Sequence, residues 1–389
     1  MLRYMKNELN CGMTMVATTY NDDNILLILG DMLVSSLLPP DHFLLPMLFS
    51  DVLPHLPSSA AYRPVDLMQK IYILKNNVCL IFAGSLDDFE PLLEDLILYC
   101  RCRAEVSGEE LDAHVKQFSL INPIGDISVM ILVLQKLDGK PGARLIPAGD
   151  WVTGKSSLIG NITAAGSGAK DFIALSQLKS NTLIEVAVSD PLGKAILANV
   201  VLLTRILAQE RAVLSTVKAY WGGGFEVAYI AAGAFHKLDD ITYIIYQGQF
   251  DEADDIETPV PALILHYKYY GDTLVMTSLT APRGSIHTTD THHIFRYMEF
   301  IHHQYNVKPL LPVNGIGDVP EDPSFVSTRV AVGYILNKGD GDFIPASLHF
   351  EHDLKVEYQH GKNVTITMSK EMMETAIQQV KGNITTIHG

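Results

Sequence analysis

The run MTMVATTYNDDNILLILGD, residues 13–31, sets apolar side chains at successive positions on both sides of a four-residue polar turn. A β-strand sends alternate side chains to opposite faces, so successive apolar residues demand cover on both. The same character recurs in KIYILKNNVCLIFAGS, DISVMILVLQKLDG, FEVAYIAAG and DDITYIIYQ. Sheets built from such strands cannot leave a face in water. With helical segments between the strand pairs, the pattern predicts two antiparallel sheets stacked face to face with helices outside, an α+β four-layer sandwich rather than a parallel α/β fold.

At 389 residues and 48% hydrophobic composition the chain has material for two domains. Its formal charge of −15 excludes a nucleic-acid groove or an anionic membrane surface as the main partner, since either needs clustered Lys and Arg. The four cysteines, Cys11, Cys79, Cys100 and Cys102, lie within the first 102 residues without zinc-knuckle spacing, which points to a reduced compartment rather than a disulfide framework. MLRYMKNELN is too polar for a signal peptide, and no unbroken run of about twenty apolar residues marks a membrane span. These features predict a cytoplasmic protein.

The order of elements follows from turn and cap signals. Six prolines between Ser35 and Pro64 predict an irregular apolar loop. LDDFEPLLEDLILYCRCR carries acids in its first turn and Arg101 and Arg103 in its last, a helix matched to its dipole, and a second helix is expected over Gly108–Leu120. DISVMILVLQKLDG and GARLIPAGDW form a strand pair, SLIGNITAAGSG a further strand, and AKDFIALSQL a helix. Ser189-Asp190-Pro191 starts a longer helix through roughly Tyr220, which Gly222, Gly223 and Gly224 end.

The acidic, breaker-rich stretch 251–261 reads as a linker, dividing a leader (1–12) and first domain (13–250) from a smaller α+β domain (262–389). In that second domain ALILHYKYYGDTLVMTSL and LKVEYQHGKNVTITM read as hairpins, FVSTRVAVGYIL as a strand, and THHIFRYMEFIHHQ and KEMMETAIQQVKG as helices capped by Asp290 and Ser369. Its histidines (His287, His292, His293, His302, His303, His349, His352) raise the question of a metal. On one helix His292 and His303 would stand about 16 Å apart, too far to share an ion, so no metal is expected there.

The stretches MTMVATTYNDDNILLILGD, KIYILKNNVCLIFAGSLDD, ITAAGSGAKDF and GGGFEVAYI, in this order and spacing, resemble the proteasome family within the N-terminal nucleophile (Ntn) hydrolases. The resemblance covers residues 13–250 and implies an αββα sandwich. It also implies an N-terminal threonine nucleophile at Thr14, an aspartate at Asp31, a lysine at Lys70 that lowers the amine's proton affinity, and a serine at Ser167 between Gly166 and Gly168. Backbone N–H groups at Ala83 and Gly84 would be the oxyanion donors. Aligning the first strands with one extra turn residue puts Thr14 at the nucleophile; aligning on Tyr20 puts Met13 there, and a one-residue slip reverses the faces. Thr14 becomes N-terminal only when the bond after Met13 is cut or translation starts there. Cys11-Gly12 resembles the start of class II glutamine amidotransferases and supplies an alternative nucleophile. The family's acidic residue and serine before the glycine cluster fall on Lys218 and Trp221, a departure.

Each of these residues also has a plainer reading: Lys70 as an edge lysine reaching solvent, Asp31 as a strand end, Ser167 as a turn. The function expected is hydrolysis of an amide or peptide bond after exposure of Thr14 or Cys11, with self-association. The competing class is a non-catalytic subunit that keeps the fold for assembly. The loop 35–64, longer than its family counterpart, would border the substrate pocket or a ring contact.

Overall fold

The computed structural model describes residues 14–368 except 38–39, 49–50, 59–61, 124, 138–139, 179–189, 250–259, 281–285, 290–291, 298–300, 322, 328, 338–342, 351–353 and 360–362. The opening hairpin pairs β1 (Val16–Tyr20) with β2 (Leu26–Asp31), Val16 standing opposite Gly30. Its turn is closed by Asn21, whose Oδ1 accepts the Ile25 N–H at 2.8 Å, while Asn24 takes the left-handed conformation at φ 62°. A ribbon of β3 (Leu33–Ser36) and β4 (Arg63–Leu67) follows, then β5 (Ile71–Lys75) and β6 (Val78–Gly84). Helix α1 (Leu86–Arg101) starts where the Ser85 hydroxyl accepts the Asp88 N–H, and α2 (Gly108–Ile121) uses Ser107 in the same way. Strands β7 (Ile127–Leu137), β8 (Lys140–Ala148), β9 (Val152–Ser156) and β10 (Gly160–Ala165) lead to helices α3 (Ala169–Gln177) and α4 (Pro191–Val213).

Asp190 caps α4 as its sequence signals, but the helix stops at Val213 instead of near Tyr220. Leu214 turns left-handed there (φ 56°) and a single turn, α5 (Ser215–Lys218), follows. Strands β11 (Phe225–Ala231) and β12 (Ala234–Lys237) complete a six-stranded sheet in the order β12-β11-β2-β1-β10-β9, while β5-β6-β7-β8 forms a second sheet. The two sheets share a core that joins Val16, Ile28, Ala165 and Ala228 to Ile71, Cys79, Ile81 and Met130. The outer face of the four-stranded sheet (Leu80, Phe82, Ile131, Val133) packs on Phe89, Leu92, Leu93 and Leu96 of α1. The other face of the six-stranded sheet (Ala17, Leu29, Ala164, Val227) meets Phe172 of α3 and the apolar side of α4. This is why the strands are apolar on both faces. Helix α4 is long and apolar enough to cross a membrane by composition, yet 67% of its apolar window is buried inside the fold.

The described residues beyond β12 are mostly strand. Strands β13 (Ile241–Gln249), β14 (Val260–Tyr270), β15 (Thr273–Thr280), β16 (Ile286–Thr289), β17 (His292–Tyr297) and β18 (Ile301–Val307) come first. They are followed by β19 (Phe325–Ser327), β20 (Val330–Asn337), β21 (Phe343–Phe350), β22 (Leu354–Gln359) and β23 (Asn363–Met368). A six-stranded sheet runs β18-β15-β14-β13-β20-β21 and a five-stranded one β16-β17-β23-β22-β19.

The segment THHIFRYMEFIHHQ contributes β17 and β18, not a helix: its aromatic and β-branched residues find waiting strand edges in β23 and β15, partners that local periodicity does not reveal. Strand β13, assigned by sequence to the first domain, pairs with β14 and β20 and so lies inside the second sheet, while most of the expected linker, 251–259, lies outside the described residues. The proline-rich segment is irregular and apolar as expected, and Leu45, Met47, Val52, Leu53 and Leu56 enter the core. It is anchored by Arg211 donating to the Met47 carbonyl at 2.7 Å and Ser278 donating to that of Pro46 at 2.6 Å. Helix α4 therefore has a sheet on each side, since Ala331 and Ile335 of β20 share its core. The expected C-terminal helix after Ser369 lies outside the described residues.

Candidate active site around Thr14 and Asp31

The start of β1 and the end of β2 lie side by side, so the hairpin register alone brings Thr14 to Asp31. The Thr14 hydroxyl donates to Asp31 Oδ1 at 2.5 Å, and the same oxygen accepts the Met15 N–H at 3.0 Å. Oδ2 accepts the Gly222 N–H at 2.8 Å. Asp31 has no exposed surface and Thr14 is 1% exposed in the intact chain. Burial pushes the Asp31 carboxyl up to about 6, opposed by the Lys70 charge and by the hydrogen bonds from Met15, Thr14 and Gly222.

Lys70 is 3% exposed, which excludes an edge lysine reaching solvent. It precedes β5 and sits over Gly30, where an added Cβ would lie 3.2 Å from Lys70 Cβ. Its ammonium is 5.4 Å from the centre of the Phe82 ring, and its charge acts on Asp31 and on Asp66. Ser167 lies beside them: its hydroxyl faces the carbonyls of Thr14 at 3.5 Å and Tyr220 at 3.4 Å. Gly166 has φ 93°, and a Cβ there would stand 1.9 Å from the Thr14 carbonyl oxygen. Residues 14, 31, 70 and 167 thus meet at one place.

Ala83 and Gly84 end β6. Both pair with β7, at Ser128 and Ile127, whereas pairing with β5 stops at Ile81, leaving the other edge of β6 without a strand neighbour beside the site. Gly84 has φ 119° and a Cβ would meet the Asp126 carbonyl at 2.1 Å, so the turn requires glycine.

Lys218 points away, its ammonium donating to the Val213 carbonyl at 3.0 Å at the surface. Trp221 is fully buried and packs on Gly168, where a Cβ would come within 2.4 Å of its ring. Neither supplies the acid and hydroxyl that the resemblance associates with these places. Cys11 lies outside the described residues. Among the described residues, no group of three or more His, Cys, Asp or Glu is close enough to hold a metal ion.

Sequence reasoning missed Glu210. It sits inside the apolar helix α4, where nothing local marks it, yet it is fully buried and accepts the Thr216 hydroxyl at 2.7 Å and the Gly223 N–H at about 3.1 Å. Consecutive amides of the glycine turn thus go to two buried carboxyls, Gly222 to Asp31 and Gly223 to Glu210. Burial pushes Glu210 up to about 7, with Asp31 adding repulsion.

Both carboxyls are raised, from 3.8 and 4.5, so between about pH 4 and 7 the folded state holds protons that the unfolded chain has released. The stability they contribute is fully present in acid and is lost as pH rises through 6 and 7. Glu210→Gln removes one of these titrations. Relative to wild type, the variant is expected to gain up to roughly 3 kcal/mol on going from pH 4.5 to 8, measured by urea unfolding. A pH-independent difference between the two proteins would refute the assignment.

No protein-family model and no curated protein matches the chain. The chemistry of the site must therefore be argued from its geometry.

Proposed function

We propose that this chain is an Ntn-type hydrolase of proteasome-like αββα architecture, cleaving amide or peptide bonds through Thr14 once the bond to Met13 has been cut. The observation that carries the reading is the Thr14 hydroxyl donating to Asp31 at 2.5 Å within reach of the Lys70 charge, in a cluster assembled from four distant parts of the chain. With the leader removed, the Thr14 amine becomes the base for its own hydroxyl, and the buried ammonium of Lys70 keeps that amine neutral. The oxygen attacks the substrate carbonyl, giving an ester on Thr14 and a free amine, and water then releases the acid. Asp31 holds the hydroxyl and shares its electrostatic field with Lys70, and the end of β6 at Ala83 and Gly84 is where the resemblance places the oxyanion donors. The reading includes a cytoplasmic location and self-association, and requires no metal or cofactor.

Intact mass and electrophile labelling test it. The purified chain should lose residues 1–13 and react at Thr14 with a threonine-directed electrophile; Thr14→Ala should abolish both, and Lys70→Ala should slow labelling about 100-fold or more. Loss of ten residues with labelling of Cys11 would select the cysteine alternative.

A second reading, a non-catalytic assembly module, draws support from the near-complete burial of Thr14 and from Trp221 packing where orienting groups would stand. A stable full-length mass with no labelling would select it.

A further inference from the structure

Glu226, in β11, is buried with no exposed side-chain surface, and both of its oxygens are occupied. Oε2 accepts the backbone N–H of Lys70 at 2.6 Å and that of Ile71 at 3.2 Å. Oε1 accepts the Lys237 ammonium at 2.7 Å and the Tyr269 hydroxyl at 2.9 Å. Glu226 stands opposite Gly30 in the β11–β2 ladder, the same glycine whose missing side chain makes room for Lys70. A buried carboxylate is costly, and here two of its four donors are the peptide groups that begin β5.

The donors on its other oxygen lead into the C-terminal sheet. Tyr269 belongs to β14. Gln69, next to Lys70, takes the Lys237 ammonium on its side-chain oxygen at 2.5 Å. Its amide donates to the carbonyls of Asp272 at 2.5 Å and Val307 at 2.8 Å, and its backbone N–H to that of Lys308 at 3.3 Å. The segment carrying Lys70 is thus tied to the C-terminal sheet on one side and to β11 on the other.

We propose that Glu226 is the positioning residue for Lys70, and that through it the C-terminal sheet sets where the lysine ammonium stands relative to Asp31 and Thr14. The role rests on reading Lys70 as the cation of the candidate site. It gives the C-terminal region a task that the first 250 residues cannot perform alone: Glu226 and Lys237 come from β11 and β12, but Tyr269, Asp272, Val307 and Lys308 come from beyond them. The Lys70 charge acts on Asp31 and Asp66, and the Glu226–Lys237 ion pair stands against its backbone N–H.

The test uses the full chain with its aspartate carboxyls labelled with carbon-13, following the Asp31 titration by NMR. Lys70 lowers the Asp31 value, so a misplaced lysine lets it rise, whereas simple deletion of the Glu226 charge would let it fall. Glu226→Ala should raise the Asp31 midpoint by about one unit or more. Glu226→Gln, whose amide oxygen still accepts the Lys70 N–H but whose amide nitrogen cannot accept from Lys237, should raise it less than Glu226→Ala. Tyr269→Phe, which loses a hydroxyl and no packing, should raise it by at least about 0.3 unit and decides the matter if Glu226→Ala does not fold. Labelling of Thr14, where wild type shows it, should slow at least tenfold in Glu226→Ala and by clearly less in Glu226→Gln. An Asp31 midpoint that stays or falls in the Ala and Phe variants, or a Gln variant that behaves like Ala, would overturn the proposal. If wild type does not label at all, the hydrolase reading fails while the titration still reports on Glu226.

Discussion

Asp31→Ala is expected to destabilise the protein by about 3–5 kcal/mol at pH 8. Three buried donors lose their acceptor: the Thr14 hydroxyl and the Met15 and Gly222 N–H groups. Each buried orphan costs about 1–3 kcal/mol, and Lys70 loses a nearby opposite charge as well. Against this stands the relief of burying the carboxylate, whose rise from 3.8 to about 6 corresponds to roughly 3 kcal/mol. The losses exceed the relief. Because the relief vanishes where wild-type Asp31 is protonated, the cost should be larger at pH 5 than at pH 8. Urea unfolding of both proteins at the two pH values checks the magnitude and the sign of the trend; a cost that grows with pH would contradict the raised value.

Gly166→Ala is the second large effect. The added Cβ would lie 1.9 Å from the Thr14 carbonyl oxygen and 3.1 Å from Ala83 Cβ, in a backbone held at φ 93°. Backbone strain of this kind and overpacking each cost about 1–3 kcal/mol, so a total loss of about 3 kcal/mol or more is expected. The clash also falls on the residue whose hydroxyl must meet Asp31, so Thr14 labelling should drop to background. Gly233→Ala separates the two causes. Gly233 has φ 77° but nothing within 4 Å of an added Cβ, so it should show only the strain, about 1 kcal/mol, with labelling unchanged. Equal losses in the two variants would mean that contact with Thr14 contributes nothing.

Much of the architecture could be read from local chemistry. Asp190-Pro191, Ser85 and Ser107 announce helices because a cap satisfies backbone groups within three residues. Asn76-Asn77 and the NDDN turn place hairpins for an equally local reason. The segment 292–307 was illegible for the opposite reason: whether HHIFRY and IHHQYNV become helix or strand depends on β23 and β15, which lie far away in the chain. The surroundings of 251–261 were illegible in the same way. The composition of that stretch suits any exposed connection, and only the pairing of β13 with β14 shows what it connects.

The candidate site divides along the same line. Thr14 and Asp31 are brought together by a hairpin whose register follows from two short strands and one turn, so the sequence alone could place them. Lys70 could be named from sequence but not located: whether a lysine beside an apolar strand reaches water or is buried depends on Gly30 and Glu226 of the facing sheet. Glu210, Glu226 and the glycine turn that joins Gly222 to Asp31 and Gly223 to Glu210 had no local signal. Burial, which raises Asp31 and Glu210, is a property of packed layers. The sequence by itself determined doubly covered sheets and a hairpin that sets Thr14 or Met13 against Asp31. Tertiary structure alone decided which charges are buried beside that pair, because desolvation and hydrogen bonding across sheets belong to no single stretch of chain.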